Sequence, residues 1–325
     1  MPEPRRITSA DVARRAGVSR ATVSYVLNAT PGQSISPATR DRVRKAAAGL
    51  GYAPSAAARA LRTGRSDVVL CLLPDWPIGN EVGNLLGNLS TALAREGLTF
   101  VAHPGSREDR PIAEIWKAIT PAAVLSFTDF SDDETEAMRA AGVALVVALL
   151  GRAGRHGQEL EVPQRLIGRR QAEHLSGTGH RRLGYAYPDD PRLRIFAEPR
   201  LAGVRTVGEP VVRTVPLDTE PAAAAVAGWC ADGVTGICAY NDEVALAVLA
   251  GARSLGPAAP SGLSVIGVDD IPAARLAVPP LTTVTTDQGT LAAHLAHTIV
   301  AAVGGRPAPV LATDDLVRVV VRESA

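Results

Sequence analysis

This 325-residue chain lacks the common residue patterns of covalent catalysis, which narrows the function classes open to it. There is no HExxH, GxxxxGK[ST] or GxSxG, so a zinc protease, a phosphate-cradling loop and a nucleophile elbow all lack their residues. His294 and His297 stand three apart in a helix-prone stretch, which reads as a half-exposed face rather than a metal site. His174 and His180 flank SGTG, a helix end and turn, and read as structural. Cys71, Cys230 and Cys238 lack metal-ligand spacing and read as buried, reduced thiols. No catalytic residue, metal or cofactor is expected. What remains is recognition chemistry, and it is concentrated near the N-terminus in ADVARRAGVSRATVSYVLN, residues 10–28.

Two short helices must carry that stretch. Val12, Ala13 and Ala16 form one inward face while Arg14 and Arg15 turn out, and Gly17 stops the helix. Ser19 is a natural N-cap for the second helix, whose inward face is Val23, Val26 and Leu27. Arg20, Ala21, Ser24 and Tyr25 are left facing away. Helix, glycine turn and helix with polar residues at its start is the helix-turn-helix, whose second helix enters the major groove. Ser36 as N-cap and Pro37 at the first helical position begin a third helix that ends at Gly51. Its Val43, Ala46, Ala47 and Leu50 close a three-helix core, leaving Arg40, Arg44 and Lys45 for solvent or phosphate. The alternative is a plain helical hairpin with a solvated face.

Charge follows the same division. The chain's net charge is +1, yet residues 1–66 hold twelve Lys or Arg against Glu3, Asp11 and Asp41, a net +9. The remainder holds 22 basic and 30 acidic residues, a net −8. A basic head on an acidic body suits phosphate neutralisation at one end. With 46% hydrophobic residues the chain can bury two or three folded units. No apolar run approaches a membrane span, and MPEPRRITSADV lacks a secretion signal's apolar segment, so a cytoplasmic protein is expected.

From Asp67 onward apolar runs alternate with amphipathic stretches. Strands are expected in VVLCLL from 68, LTFVA from 98, AAVLSF from 122, VALVVALL from 143, RLGYAY from 182, PVVRTV from 210, GICAY from 236, LSVIGV from 263 and LVRVVV from 316. Helices are expected over 80–96, 132–141, 164–176, 221–231, 241–255 and 287–303. Near-continuous apolar strands between helices argue for parallel sheets covered on both faces, in one very large sheet or in two lobes.

Through DVARRAGVSRATVSYVLN and SPATRDRVRKAAAGLGYAPSAAARALRTGRS the chain closely resembles the lactose-repressor (LacI/GalR) family of bacterial transcription regulators. GHRRLGY, AYNDEVALAVLAG, LSVIGVDDIP and PPLTTV are similar to landmarks of that family's body. The resemblance implies an all-α helix-turn-helix head and an α/β, two-lobed, periplasmic-binding-protein-like core with parallel sheets. It implies a head over residues 1–53, a hinge helix and linker over 54–66, and a core over 67–325. One lobe would comprise 67–159 and 288–313, the other 160–287 and 314–325. By the same resemblance Arg20, Ala21 and Tyr25 face base edges, while Thr8, Ser19, Thr22, Ser24, Asn28, Ser34, Ser36 and Thr39 face the DNA backbone. Arg20 could grip a guanine with two hydrogen bonds, worth roughly 1–3 kcal/mol of discrimination. Tyr52, which leads out of the head, and Ser55, Ala58 and Leu61 of the hinge complete the expected DNA-contacting set, Leu61 matching a leucine wedged into the minor groove. A plain linker is the alternative. Tyr25 replaces the arginine common there and Ser55 a common asparagine, so an altered operator half-site is expected.

Ligands in open parallel sheets sit beyond the carboxyl ends of strands. That rule and family position nominate Arg200, Asn241 and Asp269, with Asp75 and Thr286 behind them, for effector contact. Structural roles compete: Asn241 could cap the helix it opens, Asp269 or Asp270 a turn before Ile271, and Arg200 could pair with surface acids. Departures include Pro163 and Gln164 in place of an aspartate-asparagine pair, DWPIGNEV after the first strand, and a shortened stretch between RLAGVRTV and PVVRTV. The expectation is a homodimeric, sequence-specific regulator, most simply a repressor, of double-stranded operator DNA with a palindromic site. A small effector, sugar-like by family default, would control it. The alternatives are a small-molecule-binding protein with a degenerate head and a regulator without an effector.

Overall fold

The computed structural model describes residues 7–28, 32–52, 66–104, 112–150, 163–256, 262–312 and 314–325. The chain forms two compact units, Met1–Asp67 and Val68–Ala325.

In the first unit, α1 (Ser9–Ala16), α2 (Arg20–Leu27) and α3 (Pro37–Gly49) enclose a core of valine and alanine. Thr8 donates its backbone N–H and its hydroxyl to the Asp11 carboxylate at 2.9 and 2.6 Å, which fixes the start of α1. Gly17 ends the helix at φ +64°, a left-handed conformation that side chains with a Cβ adopt at a cost. Ser19 Oγ accepts from Thr22 N at 3.1 Å and Ser36 Oγ from Thr39 N at 3.3 Å, capping α2 and α3 as their sequences require. Val12, Ala13, Ala16, Val23, Val26, Val43, Ala46 and Ala47 are buried, with Leu27, Leu50 and Tyr52 packed around them.

The second unit alternates strands and helices around two sheets. The first sheet contains β1 (Val68–Leu73), β2 (Thr99–Pro104), β3 (Ala123–Ser126) and β4 (Leu145–Ala148), all parallel, in the order β2-β1-β3-β4. Helices α4 (Asn80–Arg95), α5 (Ile112–Ile119) and α6 (Asp132–Ala140) lie between its strands. The run VVLCLL of β1 shows why a continuous apolar strand is needed here. Val69, Cys71 and Leu73 share a core with Leu85, Leu89 and Leu93 of α4, while Leu70 and Leu72 share another with Trp116 and Met138. Both faces are covered.

The second sheet contains β5 (Leu183–Pro188), β6 (Val211–Val215), β7 (Gly236–Ala239), β8 (Ser264–Val268), β9 (Thr282–Thr286) and β10 (Val317–Val320). Their order is β10-β9-β8-β7-β5-β6. Around it run α7 (Gln164–Gly177), α8 (Arg194–Arg205), α9 (Thr219–Ala231), α10 (Asp242–Ser254) and α11 (Pro272–Leu276), and α12 (Gln288–Val303) leaves β9 to pack on α4. The sheet is parallel except that β10 returns antiparallel to β9 at the edge.

All nine strand runs expected from the sequence are strands, and the two-sheet arrangement replaces the single large sheet. β9 escapes the apolar-run criterion because it reads TTVTT. Its buried threonines succeed by bonding their hydroxyls: Thr283 donates to Asp242 Oδ1 at 2.6 Å and Thr282 to Ala325 O at 3.0 Å. Helices α5 and α11 lie outside the expected set, and α8, expected in curtailed form from the shortened stretch before PVVRTV, contains Pro199, a residue that ordinarily argues against a helix interior. Cys71 and Cys238 are buried and all three cysteines are free. Among the described residues no helix is long and apolar enough to cross a membrane.

Candidate functional site: a helix-turn-helix face and a cleft in the body

On the head, Thr8, Ser19, Arg20, Ala21 and Tyr25 are exposed, and α2 carries no acidic residue in its first turn. Asp11 beside it is occupied by Thr8 and Arg14, so little negative charge faces a phosphate approaching α2. Thr22 pairs its hydroxyl with Ser19 at 2.9 Å, and Asn28 Nδ2 donates to Ser24 Oγ at 3.0 Å. These side chains are partly spent on local order. Ser34 and Ser36 are exposed, Thr39 is half-buried, and Tyr52 packs on the core. Arg40 differs from the expectation of a free cation: it donates to the carbonyls of Ile35 and Gln33 at 3.2 and 3.3 Å and so holds the segment before α3. Ser55, Ala58 and Leu61 lie outside the described residues.

In the body a cavity of about 170 Å³ lies between the two sheets. Arg200, Asn241, Asp269 and Thr286 all line it, although they come from α8, the β7–α10 junction, the end of β8 and the end of β9. Arg200 is the organising side chain. It donates from Nε to Gln164 Oε1 at 2.7 Å and from one terminal nitrogen to Tyr240 O at 2.6 Å. Its other terminal nitrogen lies 3.8 Å from Asp269 Oδ1, and its carbon sits 4.9 Å from the centre of the Tyr240 ring. Asn241 does cap α10, accepting from Val244 N at 3.0 Å, and lines the cavity as well.

Asp269 sits at φ +108° and Asp270 at φ +48°, two successive strained positions directly after β8. The strain is held from both sides: Asp270 pairs with Arg322 near the C-terminus, and Ile271 N donates not to Asp269 or Asp270 but to Asp242 Oδ2 at 2.9 Å. Asp242 is fully buried, and burial pushes its carboxyl up to about 7 against the hydrogen bonds from Thr283 and Ile271. Asp75 is off the cavity wall. Its side chain is 91% exposed, beyond the end of β1, with Arg192 at 3.7 Å.

The cavity also contains residues the sequence did not single out as contacts. Glu81 in the first turn of α4 accepts from Gln288 Nε2 at the start of α12, and both line the cavity. Burial, then the charge of Asp269, pushes Glu81 up to about 7. Glu243 lines the cavity from the first turn of α10. Acids in a first helical turn read naturally as partners of the helix dipole, which hides a binding role in the sequence. Gln164 had a signal, since it departs from the family pattern; here it positions Arg200. The walls are apolar, including Ile78, Leu85, Phe127, Ile167, Leu193 and Phe196. Behind them Trp76 packs on Phe127 at 5.3 Å and on Phe196 at 4.7 Å, an aromatic bridge from the first sheet's loops to α8. Among the described residues no three His, Cys, Asp or Glu converge to hold a metal.

Residues 8–55 match the model of the bacterial regulatory proteins, lacI family, and residues 172–325 that of a periplasmic binding protein-like domain. The HTH-type transcriptional regulator GalS of Salmonella typhimurium is 31% identical, over 86% of this chain and 84% of GalS. The HTH-type transcriptional regulator CelR of Thermobifida fusca is 29% identical over 94% of each chain. Among solved structures, a lac repressor dimer bound to operator and the anti-inducer ONPF superposes with a TM-score of 0.74 at 21% identity, covering 98% of this chain and 99% of that one. A CelR–cellobiose complex superposes at 0.63 with 26% identity, covering 98% and 100%.

Proposed function

The chain belongs to the lacI family of bacterial regulatory proteins and is a DNA-binding transcriptional regulator, and from that premise we propose a cytoplasmic, homodimeric repressor controlled by a small molecule in the body's cleft. The observation that carries the ligand half is Arg200: a guanidinium anchored by Gln164, Tyr240 and Asp269 in the wall of a partly open cavity. Such preorganised polar groups in an otherwise apolar pocket are the usual form of a small-molecule site. The solved relative CelR is described with cellobiose, which makes a sugar-like molecule the starting candidate.

For the DNA half, Arg20, Ala21 and Tyr25 read bases in the major groove, and Thr8, Ser19, Thr22, Ser24, Asn28, Ser34, Ser36 and Thr39 position α2 on phosphates. A symmetric dimer reads a two-fold operator. The head extends over 1–53, the hinge over 54–66 and the core over 67–325. Packing of α12 on α4 supports assigning 288–313 to the lobe of 67–159, and pairing of β10 with β9 supports assigning 314–325 to the lobe of 160–287. A ligand that binds the DNA-competent and released forms unequally shifts their balance.

The test is a binding selection on fragments of the source genome, followed by gel shifts on the selected site with candidate ligands. A symmetric consensus and a ligand-dependent change in affinity are expected. The absence of any preferred sequence overturns the operator reading, and a consensus that no ligand modulates overturns the effector reading.

A further inference from the structure

The cleft's hydrogen-bonding inventory is lopsided. Among the described residues lining the cavity, Arg200 is the single basic side chain, facing the carboxylates of Glu81, Glu243 and Asp269. Its Nε and one terminal nitrogen are bonded to Gln164 and the Tyr240 carbonyl, and its other terminal nitrogen faces Asp269 at 3.8 Å. Asn241 spends its carbonyl oxygen on α10 and turns its amide towards Glu243 at 3.4 Å. Gln288 donates to Glu81, while its own Oε1 is buried with no hydrogen-bond partner. Among the described lining residues carboxylates outnumber cations three to one, so a ligand that supplies donors and positive charge suits them.

We propose, building on the effector reading above, that this cleft takes a small organic cation, a molecule with a protonated amine held by one or two of the lining carboxylates Glu81, Glu243 and Asp269. An ammonium has donors and no acceptor, so it suits a wall richer in carboxylates than in cations and does not need three of them to converge. The carboxylates come from α4 on one side and from α10 and the end of β8 on the other, so one cation would bridge elements attached to different sheets. A metal ion is the poorer match, because no three ligating side chains converge among the described residues. An anionic ligand would meet three carboxylates against one guanidinium. Burial pushes Glu81 up to about 7 and Asp269 up to about 6, with Asp269 and Glu243 adding to the respective shifts and Arg200 opposing both, and a cation bound beside them would favour their charged forms. Bodies of different polarity fit the apolar walls, so the amine is the recognised feature.

Full-length protein is titrated with two matched sets in which only one group changes charge: glucosamine, glucose and glucuronate, and 2-phenylethylamine, 2-phenylethanol and phenylacetate. Tryptophan fluorescence reports occupancy, since Trp76 backs the wall, and thermal shift provides a second readout. In at least one set the amine is expected to bind at least tenfold more tightly than its neutral and acidic partners. Glu81→Gln, which keeps an acceptor for Gln288, is expected to erase most of that preference, and its melting curve and circular dichroism check that it folds. Binding by an alcohol, sugar or acid at least as tight as its amine in both sets overturns the amine inference but leaves small-molecule control standing. An unchanged preference in a folded Glu81→Gln protein also overturns it. No response to any of the six compounds overturns it and counts against the effector reading as well.

Discussion

Burying a guanidinium is costly unless its N–H groups find acceptors, and Arg200, with a side chain 7% exposed, meets that condition through Gln164, Tyr240 and Asp269. Arg200→Met should cost about 3–5 kcal/mol in urea unfolding, because Asp269 loses its cation and Gln164 its donor. A loss under 1 kcal/mol would show that the cluster is not holding α8 in place. In the head, Arg20 is exposed and bonds no other described residue, while Arg40 is tied to its own loop. Arg20→Ala should therefore relax base choice at one operator position, by roughly 1–3 kcal/mol. Arg40→Ala should weaken binding to all sequences alike by loosening the segment that presents Ser34 and Ser36. Competitive binding to operator variants separates the two, and a sequence-dependent effect of Arg40→Ala would reverse the assignment. Tyr25, 36% exposed on the same face of α2, marks where the half-site should differ from that of relatives with arginine.

At the scale of elements, Arg200 is placed by a crossing of helices. A Cβ on Gly203 of α8 would lie 2.0 Å from Arg165 O of α7, and one on Gly168 of α7 would lie 1.8 Å from Arg200 O. Reciprocal glycines let the two backbones touch, and the side chain of Gln164 then reaches Arg200. Gly203→Ala should force the helices apart, destabilising the body by about 1–3 kcal/mol or more and weakening any cleft ligand. Denaturant melts and ligand titration measure both; a neutral substitution would mean that the crossing relaxes without cost. None of this was visible in RLIGRRQ or RLAGVRT, where the glycines read as mild helix weaknesses. The capped helices of the head were legible, since Ser19, Gly17, Ser36 and Pro37 act through neighbours within four residues.

For the whole molecule, the three raised carboxyls couple body stability to pH. Glu81, Asp242 and Asp269 are pushed up to about 7, 7 and 6, in each case chiefly by burial. A carboxyl raised on folding binds more protons in the folded state, so stability falls as pH rises from about 4 through about 7 and levels off above. His180 and His294, lowered mainly by burial, act in the opposite sense just below about 6.5. The comparison with Glu81→Gln isolates one contribution: the variant should gain stability over the parent as pH rises from 5 to about 7.5, measured by calorimetry. A constant difference across that window would mean that Glu81 is not raised.

The sequence by itself determined the capped three-helix head, the +9 charge placed on it, the nine apolar strands and the residues that open and close the head's helices. Those features depend on periodicity, local backbone geometry and composition, which a linear string carries. Tertiary structure decided that TTVTT is a strand, because its threonine hydroxyls find partners far along the chain. It also decided that Asp75 stands off the cleft wall while Gln164, Glu81 and Gln288 line it. Whether a carboxylate is a helix-dipole partner or part of a buried acceptor surplus depends on what the opposite lobe presents to it. That is settled by packing across more than 100 residues of chain, and local sequence does not encode it.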